Sequence, residues 1–188
     1  MRISSNNFLK YFSIALFAFY LVVGLIIYKD FGITTDEEFQ RYSGFFWLKY
    51  VLSFTPFEEL KILADQKLNS IGGLTLPNPI DFPFYGVIYD LPLALFEILL
   101  GIEKSKDYFA LRHLCNFLIF FISSIYFFFL LRDRFKNYQI PFFGVLFYIS
   151  SPRVFGDSFF NNKDAIFLSL ITISLFYSFK ILQKFNYK

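Results

Sequence analysis

"YGVIYDLPLALFEILLGI", residues 85–102, is the stretch on which the fold turns. It is apolar enough to enter a bilayer, yet it carries Asp90, Pro92 and Glu97. Two carboxylates in mid-membrane are costly without partners, and a proline removes a helix hydrogen bond. Four other runs are cleaner. Residues 8–28 form a 21-residue run whose only charge is Lys10 near its start. As a helix this run is about 31 Å long, which matches the hydrocarbon core. It has no small-x-small cleavage pattern, so it reads as a retained signal anchor. The other three are "LCNFLIFFISSIYFFFLL" (114–131), "IPFFGVLFYISS" (140–151, extending to 155) and "AIFLSLITISLFYSF" (165–179).

The charges place the ambiguous stretch. If 85–102 does not cross, Arg2 and Lys10, "RDRFK" (132–136) and Lys180, Lys184 and Lys188 all lie on one side. Residues 29–110, with twelve acids and seven bases, then lie on the other. That partition follows the positive-inside tendency, and a crossing by 85–102 would break it. The expected fold is therefore an all-α polytopic membrane protein with about four transmembrane helices, near 8–28, 112–131, 139–155 and 165–182. Both termini are expected in the cytoplasm, with 29–110 as one long extracytoplasmic loop. Within that loop, 85–102 is expected to lie along the interface or to re-enter.

Composition excludes the simpler classes. Of 188 residues 56% are hydrophobic and 24% aromatic, with 31 Phe, and the mean hydropathy is +0.49. A soluble domain of this length has too little interior for so much apolar surface. Cys115 is the only cysteine and His113 the only histidine, which rules out an internal disulfide and argues against a histidine-based metal site. No basic aromatic stripe points to nucleic acid. The spans hold essentially no ionisable group away from their ends, whereas a proton or ion path needs them.

The long loop is patterned. After "TTDEE" (34–38), Phe39, Tyr42, Phe46 and Tyr50 recur at helical spacing, with Arg41 and Lys49 on the same segment. Residues 56–68 read as a second helix, and "GGLTLPNPIDFPFYG" (72–86) as loop. Two or three short helices on the membrane surface are expected, with Trp47 and Tyr50 at headgroup level.

Three motifs carry chemistry. Thr34-x-x-Glu37 and Thr35-x-x-Glu38 each fit a capping box. A cap does not need three acids, and a carboxylate at a helix start just outside the membrane also suits a base acting on a lipid-borne substrate. In "SPRVFGDSFFNNKDAIF" (151–167), Asn162 or Asp164 can open the last helix. Arg153 and Lys163, on the side poor in cations, suit a phosphate. In "ALRHLCN" (110–116), Arg112 and His113 either snorkel or, in the case of Arg112, bridge to acids of the long loop.

"GITTDEEFQ" after a first span, "RHLCNFLIFF" opening the next and "SPRVFGDSFFNNKD" before another resemble the amino-terminal module of GT-C fold glycosyltransferases. The likeness is to the protein O-mannosyltransferase and aminoarabinose-lipid A transferase type and runs over nearly the whole chain. It implies transfer of a sugar, with inversion, from a polyprenyl-phosphate donor to an acceptor hydroxyl on the extracytoplasmic face of a membrane. By the same resemblance Asp36 is the base with Glu37 beside it, and Asp164 orients the acceptor or holds a divalent metal. Lys163, Arg153 and Arg112 stabilise the departing lipid phosphate. The family is divided on metal use, so the cofactor stays open. It also places the stretch matching 85–102 along the membrane surface. Two departures stand out: "FPFYG" (82–86) replaces a common His-Pro-Pro element, and members run much longer, with more spans and a soluble carboxy-terminal domain. The chain is therefore expected to be a fragment or one half of a split enzyme, partnered by donor lipid and, in the split case, by the missing half. The alternative is a non-catalytic membrane subunit or remnant. Richness in Phe, Ile, Asn and Lys points to a bacterial inner membrane.

Overall fold

The computed structural model describes residues 5–71, 76–82 and 86–185. Arg2, Lys188 and most of "FPFYG" therefore lie outside the described residues, as does the Gly-rich start of the predicted 72–86 loop. All regular structure among the described residues is helical. Three helices are long and apolar enough to cross a membrane: Phe8–Ile27, Ser105–Phe135 and Asp164–Phe185, with peak mean hydropathies of 2.1, 2.3 and 2.0. The protein is an α-helical integral membrane protein.

Among the described residues the eight α-helices are α1 (Ser5–Ile27), α2 (Thr35–Leu52), α3 (Glu58–Ile71), α4 (Asp90–Leu99), α5 (Ser105–Phe135), α6 (Gln139–Ser150), α7 (Pro152–Phe160) and α8 (Asp164–Phe185). A 3₁₀ turn at Pro79–Asp81 precedes α4. The chain divides into two compact units. The membrane unit holds residues up to Phe31 and from His113 onward, and the loop unit holds Gly32–Arg112.

The predicted third span, 139–155, is not one helix. Helix α6 has 12 residues, about 18 Å, well short of a bilayer core. It stops because Pro152 follows: Ser151 takes φ −60°, ψ 118°, and Pro152 becomes the first residue of α7. The residue before a proline is pushed out of the α region, and proline fits the first helical position. The sequence reading extended the apolar run across this break to residue 155 and so fused two helices.

The core of the membrane unit is aromatic. Tyr20, Phe117, Phe120, Phe128 and Phe159 are buried together with Val145 and Ile149. Phe117 stacks on Phe159 at 5.0 Å and meets Tyr20 edge-on at 5.4 Å. In lipid, water exclusion does not drive helices together, so close packing must. Gly24 provides it, since a β-carbon there would lie 2.0 Å from the Phe117 ring.

The ends of this unit are well defined. At one end the His113 imidazole donates from Nδ1 to the Tyr28 carbonyl at 3.2 Å. Asn116 donates to the Phe159 carbonyl at 2.8 Å, and Phe31 stacks on Phe159 at 4.3 Å. At the other end Phe12 meets Phe142 at 5.4 Å, and Lys180 pairs with Asp133 at 2.5 Å. Tyr28 and His113 are in contact, so the chain between them returns to the end it left.

In the loop unit α2 packs on α3 and α4 around Phe45, Leu48, Leu52, Ala64, Ile71, Ala94 and Ile98. The fit of α2 to α4 depends on Gly44, where a β-carbon would meet the Asp90 carbonyl oxygen at 2.6 Å. The aromatics Phe39, Tyr42 and Phe46 are half-buried and Tyr50 is exposed, while the buried stripe of α2 includes Glu37, Gln40 and Arg41. The face of α2 turned inward is thus partly charged.

Candidate functional site

The three acids that open α2 have three different surroundings. Glu37 is 0% exposed. Its carboxylate accepts the Thr34 backbone N–H at 2.8 Å and the Thr34 hydroxyl at 3.3 Å, forming the Thr34–Glu37 capping box. Asp36 is exposed on the first turn, where a carboxylate is favoured by the positive helix end. Glu38 is half-buried and faces a cavity described below. Of the two capping boxes the sequence allows, the first forms, and it engages Glu37.

The segment between α7 and α8 belongs to the membrane unit. Asn161, rather than Asn162 or Asp164, makes the turn into α8. Its carboxamide oxygen accepts the N–H of Asp164 at 2.8 Å and of Lys163 at 3.3 Å, and its NH₂ donates to the Asp164 carboxylate at 3.2 Å. Asn162 is buried, Lys163 half-buried and Asp164 exposed as the first residue of α8. The Arg153 side chain is 91% exposed and lies 3.6 Å from Asp157 one turn on. A pair this exposed contributes little to stability, so Arg153 is held loosely.

The structure gives Arg112 a different task from the donor-phosphate role implied by the resemblance. It is 1% exposed and sits within the loop unit, 3.6 Å from Asp90 and 3.8 Å from Glu97. None of its guanidinium nitrogens has a hydrogen-bond partner among the described residues. It is therefore held by charge rather than by directed bonds. This is the bridge to the acids of the long loop that the sequence also allowed.

Arg112 is one corner of a buried charge centre. Arg41 makes a two-pronged pair with Glu97, Nε to Oε2 at 3.0 Å and Nη2 to Oε1 at 2.5 Å. Its guanidinium lies 3.7 Å above the Tyr108 ring. Lys67 donates to the Ile102 carbonyl at 2.6 Å and stands 3.9 Å from Glu97. Two arginines and one lysine thus surround two buried carboxylates. Bidentate geometry and the flat ring are what arginine, rather than lysine, exploits. The sequence reading singled out Asp90 and Glu97 as needing partners but did not find Arg41 and Lys67. The available signal was Arg41 itself, a cation on the buried stripe of α2.

Beside this centre lies a cavity of about 170 Å³, lined by Glu38, Arg41, Lys67, Ser70, Glu103 and Tyr108. Arg41 and Lys67 are already committed to Glu97 and to backbone, so they do not form an open anion cradle. Among the described residues no group of three or more His, Cys, Asp or Glu could hold a metal.

No family model matches the chain, and no curated protein or solved structure matches it either.

Proposed function

We propose that this chain is the amino-terminal module of a GT-C type membrane glycosyltransferase that uses a polyprenyl-phosphate-linked sugar on the extracytoplasmic face. In this reading α1, α5 and α8 cross the bilayer and the α6–α7 pair makes the remaining pass. Residues 29–110 form the extracytoplasmic loop, both termini are cytoplasmic, and the membrane is a bacterial inner membrane.

The observation that carries the reading is the division of labour at the head of α2. Glu37 is taken up by the cap, while Asp36, its neighbour, stands exposed on the first turn. The cap engages Glu37, and the proposed base is the exposed acid beside it. Asp36 accepts the acceptor's proton as the hydroxyl oxygen attacks the anomeric carbon. The bond from that carbon to the phosphate oxygen breaks, and polyprenyl phosphate leaves with the electron pair. The resemblance assigns the donor-lipid phosphate to Lys163 and Arg153 and the acceptor to Asp164, all residues of the membrane unit. A positioned base adds about 10²–10⁴-fold, and electrostatic stabilisation of the leaving group commonly adds more.

The test is release of polyprenyl phosphate from the sugar-loaded lipid by the protein in proteoliposomes. Asp36→Asn is expected to lower turnover by about 10²–10⁴-fold at a stability cost of only about 0.3–1 kcal/mol. Glu37→Gln is expected to lower the unfolding midpoint instead. Absence of both turnover and saturable donor binding in the wild type would overturn the reading and leave the non-catalytic subunit in its place.

A further inference from the structure

The interior of the membrane unit is not wholly apolar. Tyr20 of α1 and Tyr148 of α6 carry hydroxyls that are closed off from the surface, and neither makes a hydrogen bond among the described residues. The Tyr20 hydroxyl lies toward Ser158 of α7, with Tyr148 close by. The Tyr148 hydroxyl lies toward Ser123 of α5 and Thr172 of α8. Ser123, Ser158 and Thr172 are themselves buried. Each donates its one proton within its own helix: Ser123 to the Phe120 carbonyl at 2.8 Å, Ser158 to the Phe155 carbonyl at 2.7 Å and Thr172 to the Leu168 carbonyl at 2.8 Å. A hydroxyl has one proton and two lone pairs, so these three oxygens are left as acceptors.

Two tyrosine protons without acceptors and three oxygens with lone pairs to offer thus face one another, outside the geometry of direct hydrogen bonds. The rings cannot easily swing to close the gaps. Tyr20 is wedged against Phe117 at 5.4 Å and Phe155 at 6.1 Å, and Tyr148 against Phe120 at 5.0 Å and Phe127 at 5.1 Å. A buried hydroxyl left unpaired costs most of its desolvation, and such groups are rare in native proteins. The hydrocarbon of a bilayer offers nothing to relieve it.

Whatever pairs these groups must be small and must both accept and donate. A cation would meet the two tyrosine protons, and an anion would be opposed by the three hydroxyl oxygens. Water has two lone pairs for the tyrosines and two protons for the oxygens opposite. We propose that a water molecule is bound inside the membrane unit, accepting from Tyr20 and Tyr148 and donating to Ser158 and to Ser123 or Thr172. Buried waters commonly make two to four such bonds. Helices in lipid are held by close packing and polar contacts, and this water supplies a contact shared by α1, α6, α7 and one of α5 and α8. The proposal is independent of the transferase reading, which gives none of these residues a role.

The experiment uses the full chain in nanodiscs, exposed to a brief synchrotron X-ray pulse. The pulse turns water into hydroxyl radicals, which oxidise the side chains beside that water. Tyr20, 4% exposed, is expected to be oxidised several-fold faster than Phe45, 0% exposed, after allowance for intrinsic reactivity. With H₂¹⁸O mixed in just before the pulse, Tyr20 is expected to take up less ¹⁸O than the exposed Tyr50, because a bound water exchanges slowly. Oxidation of Tyr20 no faster than that of Phe45 would mean a dry site and overturn the proposal. Uptake of ¹⁸O equal to that at Tyr50 would mean open access to bulk water and overturn it as well. Tyr20→Phe provides a second reading, since it removes one bond to the water and adds no bulk. Its denaturation midpoint is expected to fall. A midpoint unchanged or raised would mean that the hydroxyl had no partner to lose, and would count against a bound water.

Discussion

Arg112 brings a full positive charge into a site that is 1% exposed, beside two carboxylates at 3.6 and 3.8 Å. Burying ions is expensive and is offset only by close partners. Removing one partner is therefore worse than removing the set. Arg112→Leu is expected to cost about 3–5 kcal/mol, read as a fall in the denaturation midpoint of the protein in detergent. Adding Asp90→Asn is expected to recover part of that loss by removing one of the carboxylates left behind. A loss for Arg112→Leu of only about 0–1 kcal/mol, the range of surface pairs, would mean that water reaches the centre. The cap on α2 operates at the same scale and is weaker. Thr34→Ala is expected to cost about 0.5–2 kcal/mol in the same measurement.

At the scale of elements, close approach between helices depends on single glycines. At Gly44 a β-carbon would stand 2.6 Å from the Asp90 carbonyl oxygen, a backbone atom that cannot swing aside. Gly44→Val is expected to push α4 off α2 and cost about 1–3 kcal/mol, loosening the Arg41–Glu97 pair with it. Gly32 is the control, since nothing lies within 4 Å of a β-carbon there. Gly32→Val is expected to stay within about 0.5 kcal/mol, and equal losses at both positions would show that the α2–α4 contact is not what Gly44 protects. The same scale shows what a sequence can disclose. The long apolar runs and the Thr34-x-x-Glu37 box are local patterns, and both are found as expected. The break at Ser151–Pro152 was equally local, but the hydrophobic run continuing through it masked the proline. The choice of Asn161 over Asn162 as the turn residue rests on adjacent, chemically identical side chains that only backbone geometry separates.

At the scale of the molecule, the membrane unit groups its ends in a way that a labelling experiment reads directly. In a Cys115→Ser background, cysteines replace Thr35, Arg153 or Arg134, all exposed positions. With a membrane-impermeant thiol reagent on intact cells, the proposed orientation is tested: positions 35 and 153 are expected to react and position 134 to be protected. Reaction at both 134 and 153, or protection at both, would contradict the end-to-end order given by the Tyr28–His113 and Lys180–Asp133 contacts, and reaction at 134 with protection at 153 would reverse the proposed orientation. What the sequence could not disclose at this scale is the pairing of Arg41 with Glu97, 56 positions apart. No periodicity links two residues at that separation. Asp90 and Glu97 announced a need for partners, and only the fold identifies them.

The order of those partners along the chain has a consequence for biosynthesis. Arg41 emerges first, then Asp90 and Glu97, and Arg112 last of all. Until residue 112 is delivered, the two carboxylates of α4 have only part of their countercharge. Completion of the charge centre therefore waits for the early turns of α5, and a chain cut between residues 100 and 112 is expected to keep Arg41 on Glu97 while Asp90 loses Arg112.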